Sequence, residues 1–258
     1  MVPRTRPRLT WSSLAVMLLV LTGCVQAPIT GRDQLILIPD FVLSSQAQAA
    51  FDGIKQETGI VREPRYTGPV KEIGRRIAGV APVRNANWEF VVFDSDEFNA
   101  FAMPGGKVGV YRGMFDVAES DDQLATVMAH EVAHVAARHG GERVTTQLAA
   151  QLGIALVASA TDNPDLATLL AQAATLGVVL PFSRTQEAEA DRIGLELMAR
   201  AGYDPRAAVP FWQNMMAKAG SRRPEFLATH PNPKNRIRAI EAALPQVMPL
   251  YEASPYRR

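Results

Sequence analysis

His130-Glu131-Val132-Ala133-His134 gathers two of the chain's four histidines into five residues, with a carboxylate beside the first. On a helix, positions i and i+4 share a face, so His130 and His134 can reach one ion together. Two imidazoles plus a carboxylate suit zinc, with a fourth position left for water. Zinc lowers the pKa of such a water to about 7. Glu131 projects from a neighbouring direction, where it can take that water's proton and pass it to a leaving amine. The bland reading of the same five residues is a buried helix with two hydrogen-bonded histidines.

A third ligand separates the two readings. Six residues beyond His134, where one class of zinc peptidases carries a further histidine, stands Gly140. His139 falls off the shared face and reads as a helix-end histidine complementing the dipole. The other source is a carboxylate on a later helix. "EAEAD" offers Glu187, Glu189 and Asp191, of which Glu187 and Asp191 share a face. One of that pair can bind the ion while the other accepts the free N–H of a ligand histidine. Glu189 points elsewhere and reads as solvated. Gly194, close to the shared face, lets this helix approach another.

The elements that must position these groups are legible. "DDQLATVMAHEVAHVAARHGG" is the strongest helix, with Asp121 and Asp122 at its N-terminus, Arg138 and His139 at its C-terminal dipole, and Gly140-Gly141 as its stop. Its apolar middle predicts burial. "SRTQEAEADRIGLELMARAG" predicts a second helix, ended by Gly202. Strands are expected at Trp88–Phe93, Phe98–Ala102 and Lys107–Tyr111, the last two joined by a turn at Pro104-Gly105-Gly106. Further helices are expected in "SSQAQAAFDGIKQETG", capped by Ser44 or Ser45, in "GPVKEIGRRIAGV", and in two late segments capped by Asp204 and Asn232. Apolar stretches at Leu148–Ala160 and Leu166–Leu180 fall short of the run of about twenty residues that spans a bilayer, and read as packed helices. The expected class is α+β, mostly helical, with a small sheet.

The N-terminus reads as a targeting segment. "MVPRTRPRLT" is a positive region and "WSSLAVMLLVL" a short apolar one, followed by "LTGC". Without Arg4, Arg6 and Arg8 the chain carries 24 basic against 26 acidic residues, net −2, so nothing suggests nucleic acid as a partner. Cys24 is the only cysteine, which excludes an intramolecular disulfide. "LTGC" resembles the bacterial lipobox. That resemblance implies cleavage before Cys24, lipidation there, and a stable membrane anchor from several acyl chains. Val25 stands where Asp would signal inner-membrane retention, which implies the outer membrane, facing the periplasm. The expected organisation is a signal peptide over 1–23, an anchor, tether and docking segment over 24–45, and the enzymatic domain over 46–258.

The His130–His134 motif followed by "SRTQEAEADRIG" resembles the zinc metallopeptidase family of HtpX, the CAAX prenyl endopeptidase and periplasmic proteases such as BepA and LoiP. "NAFAMPGGKVGVYRGM", "THPNPKNRI" and "PITGRDQLILI" match as well. The resemblance implies a zincin-like domain binding one zinc per chain through His130, His134 and Glu187, with Glu131 as catalytic base. Asp191 would orient a ligand histidine. Asn99, Ala100, Phe101 and Ala102 resemble the strand that lines the substrate cleft, where an extended peptide adds by main-chain hydrogen bonds. His230 would steady the oxyanion or occupy the open zinc position in a latent form. Arg236 would supply positive charge to the oxyanion or bind a nearby carboxylate. The implied substrates are unfolded envelope polypeptides. The other reading is a chaperone-like factor for outer-membrane assembly, with a latent or structural zinc site.

Overall fold

The computed structural model describes residues 24–161, 182–219, 224–230 and 233–257. The segment 1–23, the whole stretch Leu166–Leu180 and the expected cap Asn232 lie outside them.

Three strands form the main sheet: β3 (Glu89–Phe93), β4 (Ala100–Met103) and β5 (Lys107–Tyr111). Pro104, Gly105 and Gly106 form the turn between β4 and β5, which pair antiparallel. β3 joins the far side of β5 in parallel, with Glu89 opposite Lys107. The order β3-β5-β4 leaves β4 at the edge. Strict alternation divides the two faces. Val92, Val108, Val110 and Ala100 are buried on one side, where α2 (Pro64–Val80) contributes Val70, Ile73 and Ile77. On the other, Phe93 and Phe101 meet Phe51 of α1 (Asp40–Thr58) and Tyr111 packs on both sheet rings, with centroids 5.6 to 6.2 Å apart.

Behind the sheet lies α3 (Asp121–Ala136), which carries the His-Glu-x-x-His motif. The Ser120 side chain accepts a hydrogen bond from the Gln123 N–H and caps it. The helix is buried along almost its whole length, as its apolar middle requires. α5 (Arg184–Arg200) packs directly on it and opens with a reciprocal cap between Ser183 and Gln186. The two backbones approach so closely at Gly194 that a Cβ there would stand 3.2 Å from the His130 nitrogen. Gly194→Val therefore forces α5 away from His130. The expected cost is about 1–3 kcal/mol, read as a lower thermal midpoint, together with weakened metal binding.

α6 (Ala208–Ala219), the short α7 (Glu225–Thr229) and α8 (Pro233–Glu252) close the far side. Asp204 caps the 3-10 turn that leads into α6, accepting from the Arg206 N–H. α8 runs past the expected end near Leu244, through Pro245 and Pro249. Burial of Ile240 and Val247 holds it to the domain and outweighs the lost backbone bonds.

Several local expectations are corrected. α1 begins at Asp40, not after Ser44 or Ser45, and Pro39 precedes it without a side-chain cap. A domain boundary at 45/46 would therefore cut this helix. Gly140 and Gly141 do not stop α3. Arg138 takes the left-handed turn, with φ of 57°, and both glycines lie in the first turn of α4 (His139–Thr161). Gly141 serves close approach instead, because a Cβ there would meet Ile36 and Leu43 at 3.2 Å. The stretch Leu148–Ala160 is helical within α4. Among the described residues no helix is long and apolar enough to cross a membrane.

Ahead of α1, β1 (Cys24–Gln26) and β2 (Asp33–Leu35) form a small antiparallel hairpin. It docks on α4 and α5 through Arg32, which pairs with Glu142 at 2.7 Å and Glu189 at 2.6 Å. Cys24, at its start, is exposed.

Candidate metal centre

α3 presents His130 and His134 on one face, α5 presents Glu187 toward them, and the residue after α7 presents His230. All four are 2 to 3% exposed. Ligand atoms from the four lie within 4.8 Å of one another. His130 Nε2 stands 3.1 Å from His134 Nε2 and 3.2 Å from His230 Nδ1. Glu187 Oε1 stands 2.9 Å from His230 Nδ1 and 3.4 Å from His134 Nε2. Four ligands bound tetrahedrally at about 2.0–2.1 Å have edges of about 3.3–3.4 Å. The four separations above run from 2.9 to 3.4 Å, at or a little under that figure, so the donor set and its spacing suit a small divalent ion.

The outward-facing ring nitrogens are also held. His130 Nδ1 lies 3.1 Å from Asp191 Oδ1. Arg236 grips the same carboxylate through Nε at 2.7 Å and Nη2 at 2.5 Å, places Nη1 2.8 Å from Glu187 Oε2, and lies over the Trp212 ring at 3.8 Å. Its guanidinium thus serves buried carboxylates, the second of the two roles expected for it. His134 Nδ1 lies 2.9 Å from His139 Nδ1, whose Nε2 lies 3.0 Å from Glu189 Oε2.

His139 and Glu189 overturn two expectations. His139 is fully buried and turned inward, not a helix-end residue complementing a dipole. Glu189 is 6% exposed rather than solvated. It accepts hydrogen bonds from Thr30, Arg32 and His139. The signal available in the sequence was Arg32 in "TGRDQ", a charge in a segment otherwise suited to docking.

Glu131 sits beside the cluster, 2% exposed. Its Oε2 accepts from the Ala102 N–H on the edge strand at 3.1 Å, and its Oε1 lies 3.4 Å from His230 Nε2. Of the segment Asn99–Ala102, Asn99 turns its carbonyl toward Tyr111 of β5. Alternation then turns the backbone groups of Ala100 and Ala102 away from β5. Phe101 packs on the aromatic face.

Charges are set by this burial. Burial pushes the Glu131 carboxyl up to about 8, reinforced by Glu187 and opposed by His130, the Ala102 N–H and Arg236. Burial also pushes Glu187 upward, but hydrogen bonds from His134 and His230 win and hold it far below the carboxylate range. Asp191 is likewise lowered against burial, by Arg236 and His130. His134 is held well below its ordinary value by burial, so its ring is neutral, as a ligand must be.

Phe182 lies over the His134 ring, centroids 4.0 Å apart. Beyond it opens a cavity of about 700 Å³, lined by Phe41, Leu43, Arg84, Ala102, Pro104 and Phe182 among others. Sequence reasoning singled out none of Phe182, Trp212 and Phe226, the last of which stacks on the His230 ring with centroids 4.5 Å apart.

Residues 64–244 match the model of peptidase family M48. The mitochondrial metalloendopeptidase OMA1 of Schizosaccharomyces pombe is 38% identical over 81% of this chain and 63% of its own length. The beta-barrel assembly-enhancing protease of Escherichia coli is 32% identical over 74% of this chain and 41% of its own. The OMA1 metalloendopeptidase of Homo sapiens is 32% identical over 88% of this chain and 47% of its own. The chain thus spans between two-fifths and two-thirds of the length of these curated relatives. With a match over most of its length and a buried His-His-Glu-His cluster at its centre, the chain belongs to the M48 family of metallopeptidases.

Proposed function

We propose that this chain is a zinc endopeptidase of the bacterial cell envelope, anchored to the outer membrane through lipidated Cys24 and facing the periplasm. Its substrates are misfolded or unassembled envelope proteins. The observation that carries the catalytic reading is the convergence of His130 Nε2, His134 Nε2 and Glu187 Oε1 beside Glu131, under the free edge of a strand. The envelope reading is supported by "LTGC" and by the likeness to a beta-barrel assembly-enhancing protease.

His130, His134 and Glu187 would hold the ion, and zinc there would supply Lewis acidity toward a water and the scissile carbonyl. An extended polypeptide pairs with Ala100 and Ala102 and competes for the N–H that Glu131 now accepts. Glu131 takes the proton of the attacking water and returns it to the leaving amine. Asp191 fixes the His130 tautomer by accepting its Nδ1–H, and Arg236 holds Asp191 and Glu187 in place. The cavity beyond Phe182 receives substrate side chains.

His230 acts as a latch. Its Nδ1 takes the fourth corner of the cluster, and its Nε2 faces Glu131. A zinc peptidase needs that corner open to substrate or water. His230→Ala is therefore expected to raise basal cleavage of an unfolded polypeptide several-fold at unchanged metal content. A fall in cleavage would instead assign His230 to the oxyanion. The same closed corner favours a second reading, an assembly factor with a latent metal site. Purified protein should contain one zinc per chain and cleave unfolded polypeptide, with chelation abolishing cleavage and added zinc restoring it. Inactive zinc-loaded protein, together with full rescue of a deletion strain by Glu131→Gln, would favour the assembly factor.

A further inference from the structure

We propose that Glu189 and His139 are positioning residues for His134, and that the N-terminal hairpin sets the metal affinity of the centre by holding them through Arg32 and Thr30. The inference rests on the reading of His134 as a metal ligand.

Proton accounting fixes the direction of every bond. His134 Nε2 faces the cluster, so a ligating ring carries its proton on Nδ1. His139 Nδ1, 2.9 Å away, must then be the acceptor. A neutral His139 that accepts at Nδ1 carries its own proton on Nε2, and that N–H points at Glu189 Oε2, 3.0 Å away. Glu189 can only accept here, from His139 and Arg32 Nε on one oxygen and from the Thr30 hydroxyl on the other. The chain of donors ends on a carboxylate whose remaining partners both lie in the segment that follows Cys24.

Arg32 reaches the other wall of the site as well. Its two terminal nitrogens donate to Glu142 at 2.7 and 2.8 Å. Glu142 Oε2 also accepts from Gln186 Nε2 at 2.8 Å. Gln186 caps α5 and is the residue before Glu187. One guanidinium thus supports His134 through Glu189 and His139, and the start of the Glu187 helix through Glu142 and Gln186. Asp191 supports His130 directly from α5, within the domain. The support of His134 instead passes outside it, to the hairpin. Displacing the hairpin strips Glu189 of two donors and leaves a buried carboxylate with His139 alone. The hairpin is therefore part of the metal centre.

Outer partners of a metal-bound histidine typically contribute about 10–100-fold to metal affinity. The test uses the full mature chain, titrated with Co2+ against a competing chelator and followed by the visible absorption of the bound ion. His139→Leu keeps the Arg32 contacts to Glu142 and Glu189, and removes the acceptor of His134 together with one of the donors to Glu189. Arg32→Ala removes the hairpin's hold. Glu189→Gln is milder, since an amide oxygen still accepts from His139. Each is expected to weaken Co2+ binding, His139→Leu and Arg32→Ala by about 10–100-fold and Glu189→Gln by less. The absorption band should also shift in His139→Leu, which a purely docking role would not cause. Wild-type affinity and spectrum in His139→Leu and Glu189→Gln, with wild type itself binding Co2+, would overturn this inference alone. Wild type that takes up no Co2+ would overturn the metal reading and this inference with it.

Discussion

Glu131→Gln is expected to keep its metal and to cleave an unfolded polypeptide about 10²–10⁴-fold more slowly. Glutamine preserves the acceptor for the Ala102 N–H and the volume of a side chain that is 2% exposed, so the cluster stays in place. Only the proton acceptor is lost. Metal content by elemental analysis and initial rates on a denatured substrate check both halves. The same variant should be more stable than wild type when both are metal-free, and increasingly so as pH rises. In the folded state Glu131 titrates near 8, against 4.5 ordinarily, so the folded chain binds this proton more tightly than the unfolded chain. A raised carboxyl favours the fold below its ordinary value, and that contribution is lost as pH climbs toward the folded one. Between about pH 5 and pH 8 the wild type should thus lose on the order of a few kcal/mol from this group. The variant, with nothing to ionise there, is spared. Denaturant midpoints of the two chelated proteins that run parallel across that range would contradict the assignment.

The residues that point into the metal centre were legible because their spacing is local. His130 and His134 share a helix face, and so do Glu187 and Asp191, and both relations follow from one periodicity. Gly194 was legible as a point of close approach for the same reason, and it meets the His130 backbone. The helix of α5 was legible as a segment, but its reciprocal cap between Ser183 and Gln186 went unread. The hairpin of β4 and β5 was legible from its turn. The parallel docking of β3 on β5 was not, since alternation identifies strands and faces but not neighbours. His139 and Glu189 were misread because each looks ordinary on its own helix. The residue that makes their burial tolerable, Arg32, lies more than a hundred positions away in the chain. Pairing across such a separation leaves no periodic trace. The same holds for Arg236, whose partners Asp191 and Glu187 sit on another helix.

That last pairing carries the second large effect. Asp191→Ala should destabilise the metal-free protein by about 3–5 kcal/mol, the usual cost of leaving a buried charge without its partner. Asp191 and Arg236 are 8% and 5% exposed, and the guanidinium lies over the Trp212 ring at 3.8 Å. Glu187 keeps its contact with Arg236 Nη1 at 2.8 Å, which places the expected loss toward the lower end of that range. Metal affinity should fall separately, by about 10–100-fold, because His130 Nδ1 loses its acceptor. The two effects can be taken apart. Replacing the pair together, Asp191→Leu with Arg236→Met, removes both buried charges and should recover part of the lost stability, since apolar substitutes for a buried ion pair are often tolerated. Metal affinity should stay as low as in Asp191→Ala, because His130 is still without its partner. If stability and affinity instead recover together in the double variant, Asp191 acts on the metal only through the fold. If stability recovers alone, the carboxylate orients the histidine directly, and Arg236 is retained chiefly because that carboxylate must stay charged inside the protein.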